Sequence, residues 1–368
     1  MSTSTTAARR GEGKRSVLDG VVVLEVGDER VEPAGALMAW AGAHVLKLEP
    51  PGGAPTRQHP PLLPDGRSLH WAVWNRGKEF VSIESGASGS SGLIGLLGAV
   101  DVVLVGLDDP AAAGLDEPAV RAVSPRIVHV DVTPFGRSGP YAPYQGGDLV
   151  LMALSGYLAI SGRPDAAPAV PPAGQPWIVA GAQAALSAVV ALREAERTGT
   201  GDGIEVAAVE VLAAQENLYS TYSARGVVLR RNGSQHRACA PGRIYACRDG
   251  HVHIFVGAQK ERGVWDRWLD WIGRPAELAG AEWQDIAFRK QPEKLAIIDA
   301  VAERFFADKA RDDLVADGQR RHIPIVAVLD PTEVLELPHV RKRDLFVRDD
   351  VTMPRPPWRT VESAGAAS

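Results

Sequence analysis

Absences set the first limits on this chain. Only two cysteines, Cys239 and Cys247, occur in 368 residues. Their spacing fits no metal motif, and a chain of this length does not rest on a disulfide scaffold, so they read as incidental thiols of a reducing compartment. There is no His-Glu-x-x-His, no phosphate-cradling Walker loop and no Gly-x-Ser-x-Gly. Metalloprotease, nucleotide-triphosphate and α/β-hydrolase chemistry therefore lack their signatures. The first apolar strand is not followed by Gly-x-Gly-x-x-Gly, and Gly92, Gly95 and Gly98 have the wrong spacing for a dinucleotide site. The histidines are scattered, and no metal site is expected. A net charge of −5 gives no reason to expect nucleic acid as a partner. The N-terminal MSTSTTAARRGEGKRS has no apolar core of a secretory signal, and no apolar run approaches membrane-spanning length. A cytoplasmic protein without membrane contact is the expectation.

What is present is ordinary for a globular chain: 45% apolar and 23% charged residues, long enough for two domains. Val21–Val26, a helix opened by Pro33, and Ala43–Leu48 form a strand–helix–strand unit, which implies parallel pairing. Further strands are read at Phe80–Ile83, Val100–Val105 and Ile127–Val132, with a helix at Glu117–Val123. Alternation of this kind gives an α/β fold with an open, mostly parallel sheet, whose ligands bind at the carboxyl ends of the strands. Gly86–Gly92, rich in glycine and serine, reads as a surface loop. Ile178–Arg197 reads as a long alanine-rich helix. A hairpin at 244–256 and a tryptophan-rich helical region up to Phe306 mark a smaller α+β domain. The domain expectation is a disordered leader at 1–16, a large domain from 17–224 and 321–368, and a small one at 225–320. Ile323–Leu329 is expected to rejoin the large domain as a strand.

The most informative stretch is Pro134–Gly156, PFGRSGPYAPYQGGDLVLMALSG. It joins a buried strand to a helix and contains one acid, Asp148, beside Gly146 and Gly147. Helix N-terminal amides would stabilise a carboxylate there and any oxyanion beside it. An equally simple reading is a plain helix cap, since Asp is among the best. Arg57, Arg76, Lys78 and Arg137 lie in loops. Each alone is a solvated charge; gathered at strand ends they could hold phosphates.

These residues also carry a resemblance. Gly42–Gly53 (GAHVLKLEPPGG with its double proline), Asn75-Arg-Gly-Lys78, Pro134–Pro140, Gly147-Asp-Leu-Val150, Arg197–Gly201, Ala240–Tyr245 with Asp249-Gly250, Ile323–Val328 and Leu337–Arg343 occur in the order seen in family III CoA-transferases (CaiB/BaiF). That family includes formyl-CoA and carnitine CoA-transferases and is related to the α-methylacyl-CoA racemases. The similarity spans roughly 17–348.

The resemblance implies a Rossmann-like large domain, a small inserted domain and two subunits interlocked as rings. It makes Asp148 a nucleophile that attacks an acyl-CoA thioester and then carries CoA as an aspartyl thioester. It makes Asn75, Arg76, Gly77 and Lys78 a CoA-contacting turn, with Arg57 and Arg137 as further cationic contacts. It makes Gly233, Ser234 and Gln235 the counterpart of a glycine loop that shields the anhydride. Coenzyme A and acyl-CoA enter as substrates; no permanently bound cofactor is implied. Where the family has an Asn-Phe-Arg-Pro-Gly-like segment, this chain has Gly106–Pro110. A racemase of the same fold is the nearest alternative, but Gly147 stands where the racemases have histidine and Ile178-Val179 near their second acid. A non-catalytic CoA-binding subunit of a hetero-oligomer is the other alternative.

Overall fold

The structure is a computed structural model that describes residues 16–82, 87–215, 218–257, 263–348 and 351–359. The chain divides into two compact units. One holds the described residues up to Ala159, Val170–Leu229 and the C-terminal stretch; the other holds Ile160–Ala169 and Arg230–Arg348.

The first unit is built on six strands: β1 (Val22–Gly27), β2 (His44–Glu49), β3 (Glu79–Ser82), β4 (Val102–Gly106), β5 (Val128–Thr133) and β6 (Gly203–Ala207). Their order is β3-β2-β1-β4-β5-β6, and every pairing is parallel. This is a doubly wound sheet, whose strand order reverses between β1 and β4. Both faces are buried, so the strands are nearly continuous runs of Val, Leu and Ile. Val23, Val102, Leu104, Val128, Val130 and Val132 enter one core; Leu24, Val26, Val103 and Val105 enter the other. The period of two along each strand decides which.

The helices of this unit are α1 (Glu32–Trp40), α2 (Leu69–Trp74), α3 (Ala87–Leu97), α4 (Glu117–Val123), α5 (Asp148–Leu154), α6 (Tyr157–Ile160, ending at the unit boundary), α7 (Gln175–Thr198), α8 (Ala208–Gln215) and α9 (Leu218–Arg225). The long helix α7 turns Ala180, Ala184, Ala188, Ala191 and Ala195 inward, a spacing of three and four residues that makes one narrow face. It packs on α1, α8 and β5. At Gly181 a Cβ would come within 2.7 Å of the Pro33 Cβ, so only glycine lets the two helices meet this closely. Although α7 is long and apolar enough to cross a membrane, it is a core helix here.

Two expectations need correction. The described part of Gly86–Gly92 is helix, the opening of α3. Leu93, Leu96 and Leu97 pack against the sheet, and that burial outweighs the poor helix propensity of glycine and serine. Residues 83–86 lie outside the described residues. Ile323–Leu329 does not rejoin the large sheet: Ile325–Val328 pairs as β9 with the small unit's hairpin.

In the second unit β7 (Ile244–Cys247), β8 (Gly250–Ile254) and β9 form an antiparallel sheet in that order. Its helices are α10 (Val264–Trp271), α11 (Ile286–Arg289), α12 (Pro292–Phe306), α13 (Arg311–Arg320), α14 (Pro331–Glu336) and α15 (Pro338–Lys342). Trp265, Trp268, Trp271, Tyr245 and Phe306 dominate its core.

Candidate active site

Asp148 is the first residue of α5, and Gly147 is the N-cap. Its side chain does not cap its own helix. Oδ2 instead accepts the backbone N–H of Gly174, which is the N-cap of α7. Gly174 has φ 85°, a left-handed conformation that glycine adopts without strain. The carboxylate therefore lies at the N-terminal ends of two helices, where amide dipoles stabilise negative charge. Oδ1 has no hydrogen-bond partner among the described residues. Gly146 is needed beside it because a Cβ there would lie 2.7 Å from the Phe135 ring.

Asp148 borders a cleft of about 590 Å³ within this unit. Glu29, His59, His70, Trp74 and Trp177 also line it. Behind one lining residue, His70, lies a buried charge network. Glu25, Glu32, Lys47 and Lys78 all have fully buried side chains. Lys47 Nζ lies 2.9 Å from Glu25 Oε1 and 3.0 Å from Glu32 Oε1; Lys78 Nζ lies 2.7 Å from Glu25 Oε2. Glu32 also accepts Thr56 Oγ1 at 2.6 Å and pairs with His70 Nε2 at 2.8 Å.

Burial alone would raise the Glu32 carboxyl, but His70, Lys47, Thr56 and Lys78 outweigh it and hold it well below the usual range. Burial also opposes the Lys47 charge, yet Glu25 and Glu32 keep that ammonium above its ordinary value. Lys78 goes the other way. Burial, reinforced by the like charge of Lys47, brings it down to about 8 despite Glu25. The Glu29 carboxyl is pushed up, first by burial and then by Asp28.

A sequence-derived CoA turn at residues 75–78 does not present its cation. Lys78 Nζ donates to Glu25, to the Glu32 carbonyl and to Asn75 Oδ1, all inside the fold. A buried ammonium with three acceptors cannot reach a phosphate, so Lys78 is a structural residue of the buried network. Asn75 is buried with it, and its Nδ2 has no partner among the described residues. Gly77 is exposed, with φ 84°. Arg57 is committed to Glu49 through two hydrogen bonds of 2.8 Å, and its guanidinium lies 4.1 Å from the Trp71 ring centroid. Arg76 lies over Trp40 and bonds the Pro354 carbonyl. Arg137 grips Asp131 with Nε and Nη2 and donates to the carbonyls of Leu107 and Asp108. Asn75 and Lys78 thus share one network, whereas Arg57 and Arg137 each hold a separate carboxylate.

In the second unit Gly233 has φ 62°, Ser234 Oγ accepts the Ile244 N–H at 3.2 Å, and Gln235 Nε2 donates to the Cys239 carbonyl at 2.8 Å. Gly233 and Ser234 border a cleft of about 760 Å³ with Arg243, Cys247 and His251. Among the described residues no group of three or more His, Cys, Asp or Glu could hold a metal ion.

Comparison with known proteins identifies the family of this chain. A family model for CoA-transferase family III matches residues 18–366. The chain belongs to CoA-transferase family III. The chain is 28% identical over 350 residues to the succinyl-CoA:(R)-benzylsuccinate CoA-transferase subunit BbsE of Thauera aromatica, covering 89% of this chain and 84% of that one. It is 30% identical over 336 residues to the succinyl-CoA–D-citramalate CoA-transferase of Chloroflexus aurantiacus, covering 90% and 83%. A CaiB/BaiF family protein from Brucella suis has the same fold: TM-score 0.85, 24% identity, 94% of this chain and 93% of that one.

Within this CoA-transferase family III chain, the sequence missed His59, His70 and Glu29 as cleft residues, and Glu32 as the buried partner of His70. His70 and His59 sit in the loop and helix between β2 and β3, and no motif marks them. The one available signal was Glu32, a charged residue beside Pro33 in an otherwise apolar helix start.

Proposed function

We propose that this protein transfers CoA from an acyl-CoA to a carboxylic acid through covalent intermediates on Asp148. The supporting observation is the unequal environment of its two oxygens: Oδ2 is held by Gly174, and Oδ1 is unpartnered among the described residues. Oδ1 attacks the thioester carbonyl carbon, the C–S bond breaks, and CoA leaves as its thiolate, giving a mixed anhydride. The thiolate attacks the aspartyl carbonyl and expels the donor acid, leaving an aspartyl-CoA thioester. The acceptor carboxylate displaces the thiolate to form a second anhydride. The thiolate then takes the acceptor's acyl group and frees Asp148. No step needs a proton, and the covalent relay divides one exchange into easier ones.

The test is mass spectrometry of the protein incubated with a panel of acyl-CoAs. The reading expects a mass increase on the peptide containing Asp148; an unmodified peptide with every donor overturns it.

Assembly as an interlocked homodimer in the cytoplasm is part of the same proposal. Leu149, Val150 and Leu154 on α5 and Leu186, Val189 and Val190 on α7 are exposed apolar side chains, more than a lone subunit gains from leaving in water. Interlocked rings would make unfolding depend on protein concentration. Sedimentation of the purified chain as a folded monomer overturns the dimer, and activity that appears only with a second chain favours a heteromer.

A further inference from the structure

His70, paired with the buried Glu32, has no part in the covalent relay, yet it lines the same cleft as Asp148. Glu32 is ionised and can only accept hydrogen bonds. His70 Nε2, 2.8 Å away, must therefore carry the ring proton. In the neutral ring the lone pair then belongs to Nδ1. Among the described residues Nδ1 has no hydrogen-bond partner. Glu32, itself held by Thr56 and Lys47, fixes one end of the imidazole, and the ring itself is partly exposed at the cleft, 22% of its side chain.

The remaining charges in the cleft favour one kind of ligand. Glu29 and Asp148 are carboxylates, and the Glu29 carboxyl is already pushed up by burial and by Asp28. A second carboxylate on a substrate would face both. His59, its ring centroid 5.6 Å from that of His70, is the other titratable group at this end. Lys47 lies behind Glu32 and is already paired. The rest of the lining includes Leu69, Val73, Trp74, Trp177 and Ile178. About 590 Å³ of such surface suits an organic acid much larger than a two-carbon one.

We propose that His70 Nδ1 accepts a hydrogen bond from a hydroxyl group of the substrate acid, so that the cleft selects hydroxy acids with an apolar body. This inference rests on the transferase reading above and names its substrate class. His70 acts here as a specificity residue, positioned by Glu32. A site that offers an acceptor to a substrate O–H discriminates against the analogue lacking it, because the acceptor is then left dry and unpaired.

The test compares kcat/KM for three acceptors with one acyl-CoA donor: 3-phenyllactate, 3-phenylpropanoate and phenylsuccinate. The wild-type protein should favour phenyllactate over phenylpropanoate at least about tenfold, the modest figure reflecting a partly exposed ring. His70→Phe should bring the ratio to about one. His70→Gln should restore part of it, since its amide can donate to Glu32 and still offer an oxygen. Because each ratio is taken within one variant, a general loss of activity cancels. If His70→Phe does not fold, the ratio in His70→Gln against wild type still decides: a ratio equal to or above that of wild type overturns the proposal.

A wild-type ratio of one, or a ratio unchanged in His70→Phe, overturns the proposal. So does a preference for phenylsuccinate that disappears with His70, which would make the imidazolium a carboxylate receptor. The wild-type adduct on Asp148 separates the two levels: an adduct with no hydroxyl preference sinks only the role of His70, and no adduct sinks both.

Discussion

Asp148 is bonded to the backbone N–H of Gly174, a residue on another helix, and leaves its own helix uncapped by its side chain. This separates two roles that a carboxylate at a helix start can play. As the first residue of α5 it is not a cap whose loss would unravel that helix. As an acceptor from α7 it fixes the position of the free oxygen.

Asp148→Asn should fold normally, because an amide oxygen can still accept from Gly174, and should lose CoA transfer and the covalent adduct, because an amide is a poor nucleophile. Asp148→Glu should also fail, by on the order of 10²-fold, since one methylene displaces the attacking oxygen by about an ångström. Thermal melts and transfer assays check both. Full activity in Asp148→Asn removes Asp148 as the nucleophile.

Lys78→Met should weaken the fold and not the affinity for CoA esters alone. It removes the ammonium 2.7 Å from Glu25 and leaves that buried carboxylate with Lys47. Breaking a buried pair from one side costs about 3–5 kcal/mol. Urea unfolding should show a loss of this order, little changed by salt, because the pair is shielded from ions. A variant as stable as wild type contradicts the buried network.

Glu32 predicts a pH dependence of stability. Its folded carboxyl is held below the ordinary 4.5, so the unfolded chain binds its proton first as pH falls. The stabilisation is complete well above 4.5 and drains away as the pH drops below that value toward the folded one. Glu32→Gln should be less stable near neutrality and show a flatter acid limb in unfolding experiments. Parallel acid limbs in the two proteins disprove the assignment.

Two glycine-to-alanine changes should have opposite signs. At Gly181 the new methyl would meet Pro33 Cβ at 2.7 Å and the Ala34 nitrogen at 2.9 Å. Overpacking of about 1–3 kcal/mol should exceed the gain in helix propensity of about 1 kcal/mol. At Gly95 in α3 nothing lies within 4 Å, so only the gain remains. Denaturant midpoints measure both; stabilisation by Gly181→Ala rules out the close contact of α1 and α7.

The parallel sheet was legible because each strand is a short apolar run between turn residues, and the family was legible from motifs in order. What the sequence could not reveal was pairing at a distance. Lys78 looked like a surface cation since the turn around it is polar; its partner Glu25 stands far back, in β1. Ile325–Val328 was read as a strand, but nothing local says which sheet it joins. The glycine- and serine-rich start of α3 hid a helix whose stability comes from leucines further along. His70 was one of several scattered histidines until Glu32, on another element, gave it a fixed proton.

The buried charge network behind His70 also constrains how such a chain can change over generations. Glu25, Lys47, Glu32 and Lys78 balance one another in a space that excludes water. Losing any one strands an opposite charge, so drift at these positions must come in compensating pairs. His70, tied to the set only through Glu32, is the member that can vary first. On the reading proposed above, substrate preference can thus be retuned at His70 while the ionic network behind it is kept whole.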